Sequence, residues 1–97
     1  MTSKPSLIVI RDKDNVATAT RDVRAGEQLS YANAGHQHSL TALQDVRFLH
    51  KVALRDIATG ERIYKYGAVI GEATRPIAEG EHVHVHNIRS LWGRARA

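Results

Sequence analysis

Histidine alternates with valine in the segment His82-Val-His-Val-His86, which is followed by Asn87. In an extended strand, residues two positions apart point to the same face, so the three imidazoles would share one face and the valines would face the core. Imidazole is the commonest metal ligand in proteins and titrates near neutral pH. This histidine face is therefore a candidate for cation binding or proton transfer, and its alternative is a solvated face on an edge strand.

Strand geometry limits which of these histidines can share an ion. His82 and His86 would lie roughly 13 Å apart along an extended strand, too far to bind one ion together without a bend. Neighbouring members lie roughly 6.6 Å apart between Cα atoms and can meet one ion at bonds of about 2.1 Å. His84 with either neighbour could therefore hold a cation and leave positions open for water, substrate or another chain.

Other residues carry weaker chemical signals. His36 and His38 lie in a polar loop, and His50 directly precedes a predicted strand. Lys65 stands between two tyrosines in an alternating segment, where it could bind a carboxylate or serve as a solvated strand lysine. Nucleophile-elbow, phosphate-loop and dinucleotide-binding motifs do not occur, so we expect no organic cofactor.

Three Gly-Glu pairs reveal an internal repeat that would position these side chains. Each repeat has Ala, Arg, a β-branched residue, Gly, Glu and an aliphatic residue at the same offsets, at residues 19–29, 53–63 and 73–83. The Gly can adopt positive φ in a tight turn, and a new strand would begin after the Glu. The repeats start 34 and 20 residues apart, too unequal for a solenoid of fixed period, so they predict repeated turns within one β-rich domain.

The remaining pattern predicts short strands and little helix. The predicted strands cover residues 7–10, 16–20, 39–43, 51–54, 62–66 and 82–86. The best helical candidate is the segment from Leu40 to Phe48, but Thr and Val interrupt it and no capping box opens it. We expect a mostly β domain with at most a turn or two of helix.

Length and composition are typical of one small globular domain, residues 1–97, with frayed ends at 1–6 and 93–97. The chain has 42% hydrophobic and 25% charged residues, with no cysteine for a disulfide or a thiolate metal site. No apolar run approaches the ~20 residues of a membrane span, and residues 1–10 lack a secretory apolar region. We therefore expect a cytoplasmic protein that is not bound to a membrane.

The net charge of +4 does not indicate a nucleic-acid partner, because it is concentrated in one short segment. Residues 1–87 carry 11 Lys and Arg against 10 Asp and Glu, and the last ten residues add three arginines and no acid. Apart from Trp92, this basic tail lacks interleaved aromatic residues, and it has no groove-reading motif. We expect a solvated or assembly-contacting terminus.

Several motifs together resemble the small N-terminal domain of the altronate and galactarate dehydratase family. They are the turn repeat with Asp14-Asn-Val-Ala17, His50-Lys-Val-Ala-Leu-Arg-Asp-Ile57, Ile63-Tyr-Lys-Tyr-Gly67 with Ile70-Gly71, and Gly80-Glu-His-Val-His84 with His86-Asn87. They occur in this order over residues 14–88. One departure is local: the family usually has Gly directly before the histidine of the second motif, where this chain has Phe48-Leu49.

The resemblance implies an SAF-type domain with a β-clip fold. In that family the domain is joined to, or partnered by, a much larger catalytic domain that eliminates water from a sugar acid, with a divalent cation such as Fe²⁺ in some members. Applied here, it implies that His84 and His86 bind the metal (Fe²⁺, Mn²⁺ or Zn²⁺), that His50 or His82 accepts a proton, and that Lys65 contacts the substrate. The chain would then be a small subunit beside a large dehydratase-like subunit, and the sulfolactate sulfo-lyase small subunit is a variant of that plan.

Two further hypotheses concern binding and assembly. SAF-type domains also grip carbohydrate or organise larger proteins, so a non-enzymatic module is the competing function. Only five aromatic residues are available to the core, counting three Tyr, one Trp and one Phe. Pairing edge strands between copies would stabilise so small a domain, and we predict a homo-oligomer formed through Ile88 to Trp92.

Overall fold

The computed structural model describes residues 6–90, which form nine short β-strands and no helix. The strands are β1 (Leu7–Ile8), β2 (Val16–Ala19), β3 (Gln28–Asn33), β4 (His36–Thr41), β5 (Lys51–Ala53), β6 (Arg62–Lys65), β7 (Ala68–Ala73), β8 (His82–Val83) and β9 (Ile88–Arg89). The mostly β prediction is confirmed. The helical candidate from Leu40 to Phe48 is wrong, because that segment finishes β4 and then forms a turn. No helix that could cross a membrane occurs in residues 6–90.

The strands form three layers, with a four-stranded antiparallel sheet in the middle. Its strand order is β1-β2-β5-β8, and the β3–β4 hairpin and the antiparallel sheet β6-β7-β9 form the other two layers. Successive residues of a strand point to opposite faces, so the two central strands supply side chains to two separate cores. Ala17 and Val52 pack with the β3–β4 hairpin, whereas Val16 and Ala53 pack with β6 and β7.

Four copies of one turn occur in residues 6–90, each at the end of a ladder between two antiparallel strands. In each copy, a buried Ala pairs with the residues three and four positions after the β-branched residue of the repeat. The Ala carbonyl accepts a hydrogen bond from the amide of the third residue, and the Ala amide donates one to the carbonyl of the fourth. The four pairs are Ala42 with Gly26 and Glu27, Ala19 with Leu49 and His50, Ala73 with Gly60 and Glu61, and Ala53 with Gly80 and Glu81. The sequence repeat identifies three of these turns, and the structure adds a fourth at residues 42–50.

The fourth turn escapes the sequence pattern because Leu49-His50 replaces Gly-Glu. Leu49 has φ of +73°, close to the +83° to +89° of Gly60, Gly80 and Gly26 in the other copies. For an L residue with a Cβ, this left-handed conformation is destabilising by roughly 1–2 kcal/mol. The Leu49 side chain is 59% exposed and recovers little of that cost by packing.

Two isolated antiparallel β-bridges join the four turns in pairs. Val23 and Val46 form one bridge, and Ile57 and Ile77 form the other. Beside the first bridge, the Asp22 carboxylate accepts a hydrogen bond from the Phe48 amide, and the Asp45 carboxylate accepts one from the Ala25 amide. These contacts draw both ends of the β3–β4 hairpin onto the central sheet.

The segment around Tyr66 and Gly67 forms a two-residue hairpin loop between β6 and β7. Both residues have positive φ, +54° and +82°, as a type I′ turn requires. The Gly67 amide donates to the buried Asp14 carboxylate at 2.7 Å. Further along β7, a Cβ on Gly71 would collide with the Arg89 carbonyl, so the glycine permits the close approach of β9.

The structure bears on one part of the assembly prediction. Ile88 belongs to β9, which pairs with β7, and it packs against the core beside that sheet. Leu91 and Trp92 lie outside the described residues. The homo-oligomer therefore stays a prediction, and a truncation that ends at Asn87 would remove a strand of the domain as well as the proposed contact.

Replacing Leu49 by Gly is expected to stabilise the domain by about 1 kcal/mol, because glycine adopts the left-handed conformation without a Cβ clash. The melting temperature should rise by about 4–8 °C per kcal/mol for a domain of this size. The matched control is Phe48→Gly, which removes a neighbouring side chain of similar exposure, 55% against 59%. Phe48 lacks positive φ, so its replacement should not stabilise, and equal effects of the two changes would contradict strain at Leu49.

Candidate functional site

Three histidines meet at one end of the central sheet. His50 precedes the first residue of β5 and His84 follows the last residue of β8, and these two strands pair with Lys51 opposite Val83. The ring centroids of His50 and His84 are consequently only 4.2 Å apart. His82 completes a group in which one ring nitrogen from each residue lies within 4.8 Å of the others. We call His50, His82 and His84 the histidine cluster.

His50 reaches the cluster because of the altered fourth turn. In the other three turns, the Glu at the corresponding position folds back and its carboxylate accepts a backbone amide hydrogen bond at 2.9 Å. His50 keeps the backbone bonds of the turn but directs its ring to His82, with Nδ1 2.9 Å from Nε2 of that residue. One ring donates and the other accepts, according to the tautomer.

The predicted five-residue histidine strand does not form. β8 ends at Val83, and the chain then turns, with the Asn87 amide donating to the His84 carbonyl at 3.1 Å. Val85 is 80% exposed instead of facing the core. The turn brings the rings of His82 and His86 to a centroid separation of 5.2 Å, whereas a straight strand would keep the two residues far apart.

Asn87 causes this turn. Its fully buried side chain accepts a hydrogen bond from the His84 amide at 3.0 Å and donates one to the His82 carbonyl at 2.9 Å. These bonds satisfy backbone groups that a longer strand would have paired with a neighbour. Asn15 has a comparable role beside β6, where its side chain bonds the Arg62 carbonyl and the Tyr64 amide.

The surroundings of His82 and His84 favour neutral imidazoles. Burial, followed by the charges of the neighbouring histidines and Lys51, lowers the pKa of His82 from 6.5 to about 4. Burial also lowers the pKa of His84, with contributions from His50, Lys51 and His86. A neutral imidazole has a lone pair available for a metal or a proton.

His84 carries an unsatisfied group. Its Nδ1 is buried and has no hydrogen-bond partner in the part of the chain that the structure describes. Leaving a buried polar atom unpaired costs about 1–3 kcal/mol. Such an atom in a cluster of ring nitrogens points to a ligand or partner group that satisfies it.

The predicted site residues are placed at different distances from this centre. His50, His82 and His84 lie together, and His86 is an exposed neighbour whose ring tilts against His82. His36 and His38 lie on the β3–β4 hairpin, where His38 stacks on Tyr31.

Lys65 ends β6, with its Nζ 5.1 Å from the Tyr66 ring centroid. The sequence pattern does not predict a functional role for Lys51, which directly follows His50. Burial, and then the charge of Lys65, lowers the pKa of Lys51. The only sequence signal for Lys51 was its place beside a histidine at the start of a predicted strand.

Comparison with known proteins adds a family and several relatives. The altronate/galactarate dehydratase SAF domain matches residues 5–91. The altronate dehydratases of Escherichia coli and Bacillus subtilis are 46% and 40% identical over 86% and 88% of this chain, which covers 16% of the length of each. The (2R)-sulfolactate sulfo-lyase subunit alpha of Chromohalobacter salexigens is 49% identical over 42% of this chain and 44% of its own length.

The low pKa of His82 predicts that the metal-free domain loses stability as the pH falls. The unfolded chain binds this proton near pH 6.5 and the folded chain only near pH 4, so between these values the unfolded state binds more protons. After allowance for solvent screening, we expect a loss of about 1–2 kcal/mol over this window. Urea unfolding in the presence of a chelator, repeated at several pH values, measures this loss of stability. His82→Gln should flatten the dependence and the exposed control His36→Gln should not; an unchanged slope in His82→Gln contradicts the assignment.

Proposed function

This chain belongs to the altronate/galactarate dehydratase SAF domain family, and we propose that it supplies a histidine-lined wall to the metal-dependent active site of a sugar-acid or hydroxy-acid lyase. A large catalytic subunit would complete the site. The observation that carries the proposal is the histidine cluster, with three ring nitrogens in reach of one ion. The relative named as a subunit of (2R)-sulfolactate sulfo-lyase supports the division of the enzyme into subunits.

The donor set fits a divalent cation of the Fe²⁺, Mn²⁺ or Zn²⁺ type. Three histidine ligands with a fourth position open to water or substrate are typical of catalytic metal sites. A cation ligated by Nδ1 of His84 would also satisfy this buried atom. The planes of the three rings lie within 14° to 19° of one another. Since the lone pairs lie in the ring planes, at least one ring must rotate to bind the same ion.

This geometry changes the roles that the resemblance implies. We assign ligation to His50, His82 and His84, because one ring nitrogen from each lies within 4.8 Å of the others and the lowered pKa values of His82 and His84 keep those two rings unprotonated at neutral pH. We assign proton transfer to His86, which lies outside the donor group with its ring beside that of His82. A base on the large subunit is the alternative.

The proposed reaction is elimination of a group β to a carboxylate. The difficult step is removal of the α proton, which is poorly acidic. A divalent cation would supply positive charge to the carboxylate and to the negative charge that develops as the proton leaves. On this chain, His86 would accept the α proton as the electrons of the Cα–H bond form the Cα–Cβ double bond and the β group leaves with its bonding electron pair. The turn fixed by Asn87 would hold His86 beside His82.

The metal-binding prediction is tested on the purified chain by anaerobic calorimetry with Fe²⁺, Mn²⁺ and Zn²⁺ in turn. We expect saturable binding of one ion per chain for at least one metal, and a loss of at least about tenfold in affinity for His84→Ala. The control His36→Ala lies on the β4 hairpin and should bind as the wild type does. Equal affinities of the two variants, or no saturable binding with and without the large subunit, would remove the metal from the proposal.

A second prediction separates positioning from general stability. Asn87→Ala and Asn15→Ala each remove a fully buried side chain with two backbone hydrogen bonds. Each should destabilise the chain by about 2–3 kcal/mol. Only Asn87→Ala should also weaken metal binding, because only Asn87 fixes the turn that carries His84. Denaturant unfolding and calorimetry of both variants check this, and equal metal affinities would contradict the positioning role.

The catalytic role is tested in the complex with the large subunit. The double change of His84→Ala and His86→Ala should lower turnover of a sugar acid or hydroxy acid by at least about 100-fold, because proton transfer alone contributes about that much. Undiminished activity would favour the competing function, a non-enzymatic SAF-type module.

A further inference from the structure

The segment that follows β4 lies against the start of β8. The strand order β1-β2-β5-β8 places β8 at one edge of the central sheet, where backbone groups need partners other than a further strand. The Leu43 amide donates to the Gly80 carbonyl at 2.9 Å, just before β8 begins. A Cβ on Gly80 would collide with the Thr41 carbonyl oxygen, so this glycine permits the close approach of the two segments.

Both backbone polar groups of His82 are bonded by carboxamide side chains. The His82 amide donates to Oε1 of Gln44 at 2.9 Å, and the His82 carbonyl accepts from the Asn87 side chain at 2.9 Å. In a wider sheet, a neighbouring strand would supply these two bonds. Gln44 and Asn87 thus replace that strand at the one residue of the histidine cluster that lies within β8.

Gln44 and His50 belong to the same turn, the fourth, and both contact His82. Gln44 bonds the His82 backbone, while Nδ1 of His50 lies 2.9 Å from Nε2 of the His82 ring. The turn itself is fixed by the bridge between Val46 and Val23. One short stretch of chain therefore bonds His82 at two points, and the distance between the two imidazole rings depends on both.

The exposure of Gln44 separates this role from a contribution to the core. Its side chain lies at the surface, so its replacement opens no cavity. One surface hydrogen bond adds little to the stability of a domain. The bonded residue, however, is a candidate metal ligand, and ligands bind an ion tightly when surrounding bonds hold them in place. The bond from His82 to Gln44 therefore has more effect on the site than on the fold.

We propose that Gln44 is a positioning residue, which holds the backbone of His82 so that its ring stays in contact with His50 and in reach of the ion. The inference rests on the proposed function and deepens it, because it names a residue outside the histidine cluster on which metal affinity depends. Gln44 acts through the His82 amide, whereas Asn87 acts through the carbonyl of the same residue.

The proposal is tested first on the metal-free chain, in chelator, by NMR of the imidazole groups. The ring-nitrogen chemical shifts of His50 and His82 report the hydrogen bond between the two rings, and a change in the stability of the folded domain alone does not move them. We expect Gln44→Ala to shift the ring nitrogens of both residues, with those of His38 unchanged. Gln44→Glu retains an acceptor for the His82 amide and should restore the wild-type shifts.

The matched control is Asp45→Ala, at the next residue of the same turn. The Asp45 carboxylate also accepts one exposed backbone hydrogen bond of 2.9 Å, but the donor is the Ala25 amide. Both alanine variants should lower the melting temperature slightly, and only Gln44→Ala should move the ring-nitrogen shifts of His50 and His82. Equal shifts in the two alanine variants, or no restoration by Gln44→Glu, would overturn the positioning role.

Calorimetry then measures the consequence for the ion, with whichever of Fe²⁺, Mn²⁺ and Zn²⁺ the wild type binds most tightly. Gln44→Ala should weaken binding about two- to tenfold, which is what one net hydrogen bond contributes to an equilibrium constant. Asp45→Ala should bind as the wild type does in salt high enough to screen the lost charge. Gln44→Glu is compared only in the metal-free spectrum, because its charge would itself attract a cation.

The result is separable from that for the metal site, because the spectra are recorded without metal. Ion binding by the wild type with an unchanged affinity in Gln44→Ala would overturn the inference and leave the proposed function standing. Ring-nitrogen shifts that depend on Gln44 in a chain that binds no ion would remove the metal and leave Gln44 as the residue that positions His82 beside His50.

Discussion

The arrangement of this domain depends on four pairs of backbone hydrogen bonds, each made by a buried alanine. Ala19, Ala42, Ala53 and Ala73 each donate to one turn residue and accept from the residue before it. Side chains larger than a methyl group have no room at these positions, where exposure is 1% or less. Each pair extends a ladder between two antiparallel strands of one sheet, namely β2–β5, β3–β4, β5–β8 and β6–β7. The bonds of Ala53 continue the β5–β8 ladder, and the pairing of those two strands places His50 beside His84.

Much of this scaffold could be predicted from local chemistry. The Gly-Glu pairs at residues 26–27, 60–61 and 80–81 predict three turns because glycine is suited to positive φ and the glutamate can bond the turn amides. The fourth turn could not be found in this way, because Leu49 and His50 have neither property. Its conformation is imposed by Ala19 and by the bridge between Val23 and Val46, which are long-range contacts.

The candidate site was predictable in composition and not in shape. Alternation predicted a straight histidine strand, but Lys51 opens β5, so its pairing with β8 extends only to Val83. Asn87 then supplies bonds that hold the chain in a turn. The pKa shifts likewise depend on long-range contacts, since the groups that act on His82 come from separate segments.

The fourth turn shows how an internally repeated scaffold can specialise. Three copies retain the glutamate that closes the turn. The remaining copy can exchange its closing carboxylate for an imidazole because the alanine bonds of its backbone persist without it. Because the backbone bonds of equivalent turns do not depend on the closing side chain, one copy can carry a residue that the fold does not require. His50 occupies that position, and the function proposed above uses it as a metal ligand.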